Sequence, residues 1–295
     1  MKRILTVIFV CLLLSISFAQ KAQEILLDLV EKLSSSSYKV ERMVTEKGFF
    51  ETVYRSESVI NVGPYRLVEV HSSRGGYTWV KNSQGEFVIL GKNAFEPLLP
   101  IRDVEDKLID IIKNGVYDVR LVLDLPYGHK YIISNDGINY EITFDDKLRL
   151  TKLVKRFGPY IVLVKYNNYR KITQEDADKV SNALNGVNII RPPIQLSESY
   201  LNENFQWHAM DFSYGKDGHL LYTLYLDSEI SGRIVVFLLF NANPDPLLKM
   251  ILDVCAANGL NYYYELFGSS ISLIIIGSRD SEELRNILSH LIAAH

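Results

Sequence analysis

The sequence predicts an α+β protein, in which a curved antiparallel half-barrel covered by helices precedes a smaller C-terminal α+β domain of ββαββα order. Three observations lead to this prediction. The chain has 295 residues, a length that suits about two domains. Short strand-like segments separated by turn residues fill most of the first part. The last part contains a pattern of strand, strand and helix that occurs twice.

Residues 1–19 have the pattern of a secretory signal peptide. A basic start precedes an apolar run, and Ser17 and Ala19 place small residues at the positions that a signal peptidase reads. We therefore expect cleavage before Gln20 and a soluble periplasmic protein. A membrane anchor, which needs about 20 apolar residues, is the alternative. Removing residues 1–19 leaves 30 basic and 35 acidic residues, a balance that argues against nucleic-acid binding.

The half-barrel domain is predicted over residues 20–172. It begins with an amphipathic helix over 22–33, in which apolar residues recur every three or four positions. A second helix is expected to end at Asn114-Gly115, because glycine is the usual residue after a helix terminus. The strands are predicted at 38–46, 49–54, 57–62, 65–71, 76–81, 86–90, 119–123, 130–134, 139–144, 148–157 and 161–166.

A connector is predicted over residues 173–204, with a short helix at 174–184, and the C-terminal domain over 205–295. Its two units carry strands at 218–226, 232–240, 260–267 and 270–277 and helices at 245–257 and 281–293. Two such units are too small to bury their apolar faces separately, so one four-stranded sheet is expected. Cys255 lies in an apolar helical pattern and is interpreted as a core residue.

Aromatic and aliphatic residues of the first domain are the main candidates for a binding site. A curved sheet under an apolar, proline-flanked segment at 95–101 would accommodate an acyl chain, because each buried methylene contributes roughly 0.8 kcal/mol. Two alternatives remain: a barrel closed on its own side chains, and an ordinary core. The candidate lipid-binding residues are Tyr65, Leu67, Trp79, Phe87, Ile89, Phe95, Leu98, Leu99, Tyr140, Ile142 and Phe144.

No linear motif indicates catalysis or a cofactor. The six histidines have no zinc-site spacing, and neither a nucleophile elbow nor a glycine-rich phosphate loop occurs. The carboxylate pairs Asp145-Asp146 and Glu105-Asp106 are interpreted as turn residues or solvated helix residues. We therefore expect no enzyme activity, no cofactor and no metal site. An enzyme remains a third alternative, because convergent residues from distant strands leave no linear trace.

Two runs stand out in the strand meander that follows the first helix, Gly63-Pro64-Tyr65-Arg66-Leu67 and Gly75-Gly76-Tyr77-Thr78-Trp79-Val80. Together with the order of helix and meander, they resemble the periplasmic lipoprotein carriers, LolA and LolB. The resemblance covers about residues 22–172, and the strands from Lys130 to Tyr166 look like the closing half of the family's half-barrel. It implies an apolar cavity for a lipid moiety and no enzymatic activity.

The additional C-terminal domain is similar to the layout of the MucB/RseB envelope-stress regulators, which pair a carrier-like half-barrel with a smaller domain. The segment from Phe205 to Tyr222 looks like their domain entry. The expected function is an exported envelope protein that binds a lipid or lipoprotein acyl chain, as carrier or sensor, while the C-terminal domain docks an envelope or membrane protein. The alternative is a structural or protein-interaction module that binds no lipid.

Overall fold

The computed structural model describes most of the chain beyond the predicted signal peptide, which lies outside the described residues. The described ranges are 20–48, 52–72, 75–115, 117–125, 128–135, 137–158, 160–192, 194–214, 220–228, 230–240, 245–267 and 271–293. None of the helices within these ranges is long and apolar enough to cross a membrane.

The helices follow the periodicity seen in the sequence. Leu26 and Leu29 of the first helix are fully buried, as the apolar stripe predicts. The second helix ends at Gly115, which has a φ of 70° and thus supplies the left-handed conformation that terminates helices. The helices are α1 (20–35), α2 (Val104–Asn114), α3 (Gln174–Ser181), α4 (Glu198–Asn204), α5 (Asp245–Asn258) and α6 (Ser281–Leu291).

A large sheet contains most of the strands. Its members are β1 (Tyr38–Lys47), β2 (Thr52–Val62), β3 (Tyr65–Ser72), β4 (Gly75–Asn82), β5 (Gly85–Leu90), β6 (Asn93–Phe95), β7 (Asp118–Leu125), β8 (Gly128–Asn135), β9 (Ile138–Phe144), β10 (Leu150–Phe157), β11 (Tyr160–Arg170) and β12 (Asn188–Ile190). The remaining strands are β13 (Gln195–Leu196), β14 (Gln206–Tyr214), β15 (Leu220–Ser228), β16 (Gly232–Phe240), β17 (Asn261–Phe267), β18 (Ile271–Gly277) and β19 (Ile292–Ala293).

The large sheet is open. Its 12 strands have the order β12-β6-β5-β4-β3-β2-β1-β11-β10-β9-β8-β7, and in the part of the chain that the structure describes each end strand has one neighbour. Neighbouring strands run antiparallel, for example β1 with β2 and with β11, except that β12 is parallel to β6. The predicted curved antiparallel half-barrel is therefore confirmed, and the closed barrel is excluded.

One prediction for neighbouring strands is wrong. Residues 49–54 and 57–62 were expected to form separate strands, but β2 continues from Thr52 to Val62. Arg55 forms ion pairs with Glu57 and with Glu46, and the strand continues through these polar residues without interruption. Within the predicted connector, residues 188–190 form β12, which pairs with β6.

The second sheet has five strands, in the order β14-β15-β16-β18-β17. The expectation of four was wrong because β14, which was not predicted, pairs with β15 at one edge. The core of this sheet is well defined: all seven residues of β18 are buried, and Cys255 is 3% exposed as predicted for a core thiol. Helix α6 is capped by Asp280, whose carboxylate accepts hydrogen bonds from the amides of Glu282 and Glu283.

The chain divides into two compact units. The first contains Met1–Glu69, Val80–Gly85 and Arg102–Ala183, and the second contains Val70–Trp79, Glu86–Ile101 and Leu184–His295. The predicted boundaries of the half-barrel domain, connector and C-terminal domain stay a prediction.

Candidate functional site

One face of the first unit's strands is buried, and we call it the covered face. Residues that lie opposite one another in the register share a face, so buried residues can be followed across the strands in rows. One row contains Val44, Val164, Leu153, Ile142 and Tyr131, each buried. This row is apolar from β1 through β11, β10 and β9 to β8.

Helix α2 lies against the covered face. Its N-terminal end is bound to β1 and β11, because Glu105 forms an ion pair with Arg42 and accepts a hydrogen bond of 2.7 Å from the Tyr166 hydroxyl. Further along the helix, Lys107 and Asp110 interact electrostatically with Lys155 of β10 and Tyr140 of β9, respectively. The buried side chains Leu108, Ile109, Ile111 and Ile112 belong to the same helix.

The predicted lipid-binding residues fall into both units. Of the eleven, Tyr65 is 39% exposed, Ile89 is half-buried, and the other nine are buried. The first unit contains Tyr65, Leu67, Tyr140, Ile142 and Phe144, and the second contains Trp79, Phe87, Ile89, Phe95, Leu98 and Leu99. A single cavity that all eleven residues line stays a prediction.

Within β9, the alternation of buried and more exposed residues predicted from the sequence is present. Tyr140, Ile142 and Phe144 are buried on the covered face, while Asn139, which precedes Tyr140, is exposed. The Phe144 ring stacks on Tyr131 of β8 with ring centroids 5.7 Å apart and lies 5.5 Å from the His129 ring. The covered face therefore ends in an aromatic cluster at this end of the strands.

Within the second unit, the proline-flanked segment 95–101 forms hydrogen bonds along its length to neighbouring segments. The Glu96 amide donates to the Ile190 carbonyl at 3.0 Å, and the Leu98 carbonyl accepts from Leu196 at 3.1 Å. The Ile101 amide donates to the Glu86 carboxylate at 2.9 Å. Movement of this segment as a lid stays a prediction and would require these three bonds to break.

A buried ion cluster joins α2 to the large sheet. Arg42 of β1 binds Glu105 through two hydrogen bonds of 2.9 and 3.0 Å and Asp103 through one of 2.8 Å. Its Nε also binds Glu57, the residue opposite it on β2. Arg66 of β3 donates to the same Asp103 oxygen at 2.8 Å. These side chains are 10% exposed or less.

Asp103 has two structural roles. Its carboxylate accepts from the Val104 amide at 2.7 Å and forms the capping box of α2 with Asp106, so it stabilises the start of the helix. The other oxygen accepts from Arg42 and Arg66. The residue that starts α2 is therefore also the residue that ties the helix to β1 and β3.

Charge within the cluster is not balanced. The guanidiniums of Arg42, Arg55 and Arg66 face the carboxylates of Glu46, Glu57, Asp103 and Glu105, which gives one more acid than base. Burial opposes ionisation of Asp103, but Arg42 and Arg66 outweigh it and lower its pKa well below the usual range. Burial and the neighbouring Asp103 raise the pKa of Glu105 to about 7. Glu105 is thus the member of the cluster that takes up a proton near neutral pH.

A second polar position lies in the next part of the covered face. Lys155 of β10 is 6% exposed and stands opposite Tyr140 of β9 in the register. Burial, together with the charge of Lys107, lowers the pKa of Lys155 to about 8, although Glu46 opposes the shift. Burial and Asp110 raise the pKa of Tyr140 well above its usual range, so this hydroxyl stays protonated.

The interpretation of Glu105-Asp106 as solvated helix residues is wrong for Glu105, which is 3% exposed. Helical periodicity alone suggested that face to be polar, but Arg42 and Tyr166 compensate its burial. Sequence reasoning also missed Arg42 and Lys155. The sequence did indicate both residues, because each charge stands at an inward position of an alternating strand. Arg42, for example, stands between the inward residues Val40 and Val44.

In the part of the chain that the structure describes, no group of three histidine, cysteine, aspartate or glutamate side chains is arranged to hold a metal ion. Two of the six histidines, His219 and His295, lie outside this part.

Several solved structures are similar to this chain. The complex of MucA and MucB from Pseudomonas aeruginosa matches at a TM-score of 0.39 and 10% identity, over 93% of this chain and 99% of that chain. A LolA superfamily protein from Nitrosomonas europaea matches at a TM-score of 0.30 and 10% identity, over 52% of this chain and 94% of that chain.

A DUF1329 family protein from Desulfovibrio piger matches at a TM-score of 0.25 and 12% identity, over 56% of this chain and 97% of that chain. No protein-family model matches the sequence. No curated protein matches it either.

Proposed function

We propose that this chain is an exported envelope protein that binds the acyl chain of a lipid or lipoprotein between α2 and the covered face. The observation that carries the proposal is the way α2 is attached. A buried ion cluster holds its N-terminal end at β1 and β3, and the four buried aliphatic side chains of the helix belong to the part that follows. Moving that part of the helix would uncover buried apolar residues of the covered face, such as Ile142 and Leu153, without breaking the strand pairing of the sheet.

The energetics favour an apolar ligand on that surface. Strand rows that face α2 would become exposed when the helix moves, and each methylene of a bound chain that covers them contributes roughly 0.8 kcal/mol. A chain of ten buried methylenes would thus contribute about 8 kcal/mol before the cost of ordering it. By the same measure the four buried aliphatic side chains of α2 contribute about 1.5–3 kcal/mol each, so the two contributions are of similar size.

Export is part of the proposal and depends on residues 1–19. The intact mass of the protein isolated from the periplasm tests it directly. A mass that begins at Gln20 is the expected result, and a mass that includes Met1 would refute cleavage. The carrier or sensor role, the absence of catalysis and a protein partner for the C-terminal domain belong to the same proposal.

Lipid binding is tested most directly by native mass spectrometry of gently purified protein. Additional mass of lipid size, removed by organic extraction, is expected. Titration with a neutral hydrophobic fluorophore, such as N-phenylnaphthylamine, provides a second readout, and a saturable signal that a long-chain lipid displaces is expected. A clean protein mass together with no saturable signal would instead favour the structural or interaction module.

Two variants locate the ligand. Ile142→Glu places a charge on the covered face, and Met43→Glu places one on an exposed position of β1 that is 53% exposed. We expect the first to abolish binding and the second to retain it. Because Ile142→Glu can also destabilise the fold, Ile142→Phe is included: it is apolar, fills the space that the chain would use, and is expected to weaken binding while circular dichroism stays unchanged.

A further inference from the structure

The side of the large sheet that faces away from α2 carries an array of basic residues. Successive side chains of a strand point to opposite sides, so Met43 and Lys165, which stand opposite each other in the register, lie on this outer side. Their row continues through Lys152 and Thr143 to Lys130. Two parallel rows add three further basic residues. We call the six basic residues of the three rows the basic face: Lys47, Arg120, Lys130, Lys152, Arg156 and Lys165.

Charge on this outer side is unbalanced. Against the six bases, the three rows contain two acids, Glu141 and Asp118, whereas the whole sequence has 32 basic and 35 acidic residues. Glu141 forms ion pairs with Lys130 at 2.9 Å and with Lys152 at 3.2 Å. The adjoining row adds one further acid, Glu41. A positive surface therefore lies on a chain whose overall charge is negative.

The cations of the basic face are available to an external partner. Lys165 stands directly opposite Lys152 in the middle of the sheet. Like charges at directly opposite positions destabilise a pair of strands, and an anion that approaches this side would offset that repulsion. Four of the six side chains are exposed and form no ion pair within the part of the chain that the structure describes: Lys47, Arg120, Arg156 and Lys165.

Two large apolar side chains lie beside these cations. Tyr54 of β2 is 64% exposed and Met43 of β1 is 53% exposed, and the register makes them diagonal neighbours on the outer side. Met43 also stands opposite Lys165. Tyrosine together with lysine is typical of a membrane–water interface, because the ring lies among the headgroups while the lysine stem extends and keeps its ammonium near the phosphates.

We propose that the basic face binds a membrane surface that is rich in anionic phospholipids. This inference goes beyond the proposed function and does not require that a lipid enters the covered face. From Lys47 on β1 to Arg120 on β7 there are five strand spacings, or about 24 Å. A single phosphate would contact one or two of the six cations, whereas a plane of headgroups presents an anion to each. Each basic residue near such a surface increases the affinity roughly fivefold.

Vesicle flotation tests the proposal with the protein isolated from the periplasm. Vesicles of equal parts phosphatidylglycerol and phosphatidylcholine are compared with vesicles of phosphatidylcholine alone, each at low and at high salt. We expect binding to the anionic vesicles at low salt and much weaker binding to the neutral ones. High salt should release the protein from the anionic vesicles, because salt screens exposed charges.

Neutralising three exposed cations locates the binding surface. The triple variant Lys47→Gln, Arg156→Gln and Lys165→Gln should weaken binding to anionic vesicles about a hundredfold, which is about fivefold for each residue. The matched control carries the same three charge changes at exposed lysines outside the three rows: Lys21, Lys92 and Lys113. It should bind within a few-fold of the wild type. Circular dichroism verifies that both variants are folded.

Two further variants test the apolar contribution and exclude lipid uptake as the cause of binding. Met43→Ser combined with Tyr54→Ser should weaken vesicle binding several-fold and leave its salt dependence in place. Ile142→Phe, which alters the covered face, should bind anionic vesicles like the wild type.

The outcomes separate this inference from the proposed function. Equal binding to both kinds of vesicle, unchanged binding of the triple variant, or an equal loss in its matched control would each refute the basic face as a membrane site. Loss of vesicle binding in Ile142→Phe would assign the association to lipid uptake instead. If no vesicle binds, but polyglutamate binds the wild type and not the triple variant, the face serves an acidic protein and the membrane proposal is refuted. Failure of N-phenylnaphthylamine to bind refutes the proposed function and leaves this inference standing.

Discussion

Replacing Lys155 with methionine is expected to make the ligand-free protein more stable. The pKa of Lys155 is lowered from 10.5 to about 8, chiefly because the group is buried and next because Lys107 is close. At 1.36 kcal/mol for each pH unit, ionised Lys155 destabilises the folded state by about 3 kcal/mol. Methionine has a similar length, carries no charge and packs well in apolar surroundings, so most of that cost should be recovered.

The sign of the pH dependence follows from the same shift. Between pH 8 and pH 10.5 the unfolded chain still holds the lysine proton that the folded chain has released. Stability of the wild type should therefore rise as the pH increases through this window, and below pH 8 the full cost is present. From pH 7 to pH 10 the expected gain from this one group is roughly 2 to 3 kcal/mol.

Urea denaturation followed by circular dichroism at pH 7, 8.5 and 10 measures both effects. At pH 7, Lys155→Met should have the higher free energy of unfolding. The difference from the wild type should shrink by pH 10, whereas Lys165→Met, an exposed control, should stay within about 0.5 kcal/mol of the wild type throughout. The reasoning fails if Lys155→Met is less stable than the wild type at pH 7, or if the difference does not change with pH.

Three further predictions concern the ion cluster and one turn. Arg42→Leu leaves Glu57, Asp103 and Glu105 buried without their guanidinium and should cost about 3–5 kcal/mol in urea denaturation; a loss no larger than that of Met43→Leu would contradict the role given to the cluster. Because the pKa of Glu105 is raised to about 7 by burial and by Asp103, folded Glu105 keeps its proton where the unfolded chain has lost it. The free energy of unfolding of the wild type should therefore fall as the pH rises from about 4.5 to 7, and Glu105→Gln should lack this part of the fall. If the wild type and Glu105→Gln have the same pH profile, another residue titrates. A Cβ at Gly128 would lie 2.3 Å from the Phe144 carbonyl oxygen, so Gly128→Ala should lower the melting temperature more than Gly186→Ala, whose φ of 76° is strained but whose surroundings are open; equal losses would refute the clash.

Much of the fold could be predicted because its elements depend on local patterns. The alternation of Tyr140, Ile142 and Phe144 predicts a one-sided strand, and that periodicity holds wherever the strand is placed. Asn114-Gly115 predicts a helix end because a left-handed residue is required there, and Gly115 has that conformation. Strand β14 was missed because an edge strand is specified largely by its neighbour β15.

The ion cluster could not be predicted in the same way. Arg42, Glu57 and Arg66 lie on three adjacent strands, and Asp103 and Glu105 lie at the start of a helix more than thirty positions later in the chain. A charge at an inward strand position is a visible anomaly, but its partners depend on which strand and which helix pack beside it. The same is true of Lys155, whose neighbour Tyr140 is identified only by the register of β9 and β10.

The sequence by itself determined the elements and their faces: where most strands and helices begin and end, which side of each is apolar, and that residues 1–19 carry an export pattern. These are short-range properties, since they depend on side chains within one or two turns of the backbone. Tertiary structure alone decided that the large sheet is open and that charges are buried beneath α2. Burial of a charge is tolerable only where opposite charges converge from distant parts of the chain, and such convergence exists only in the folded molecule.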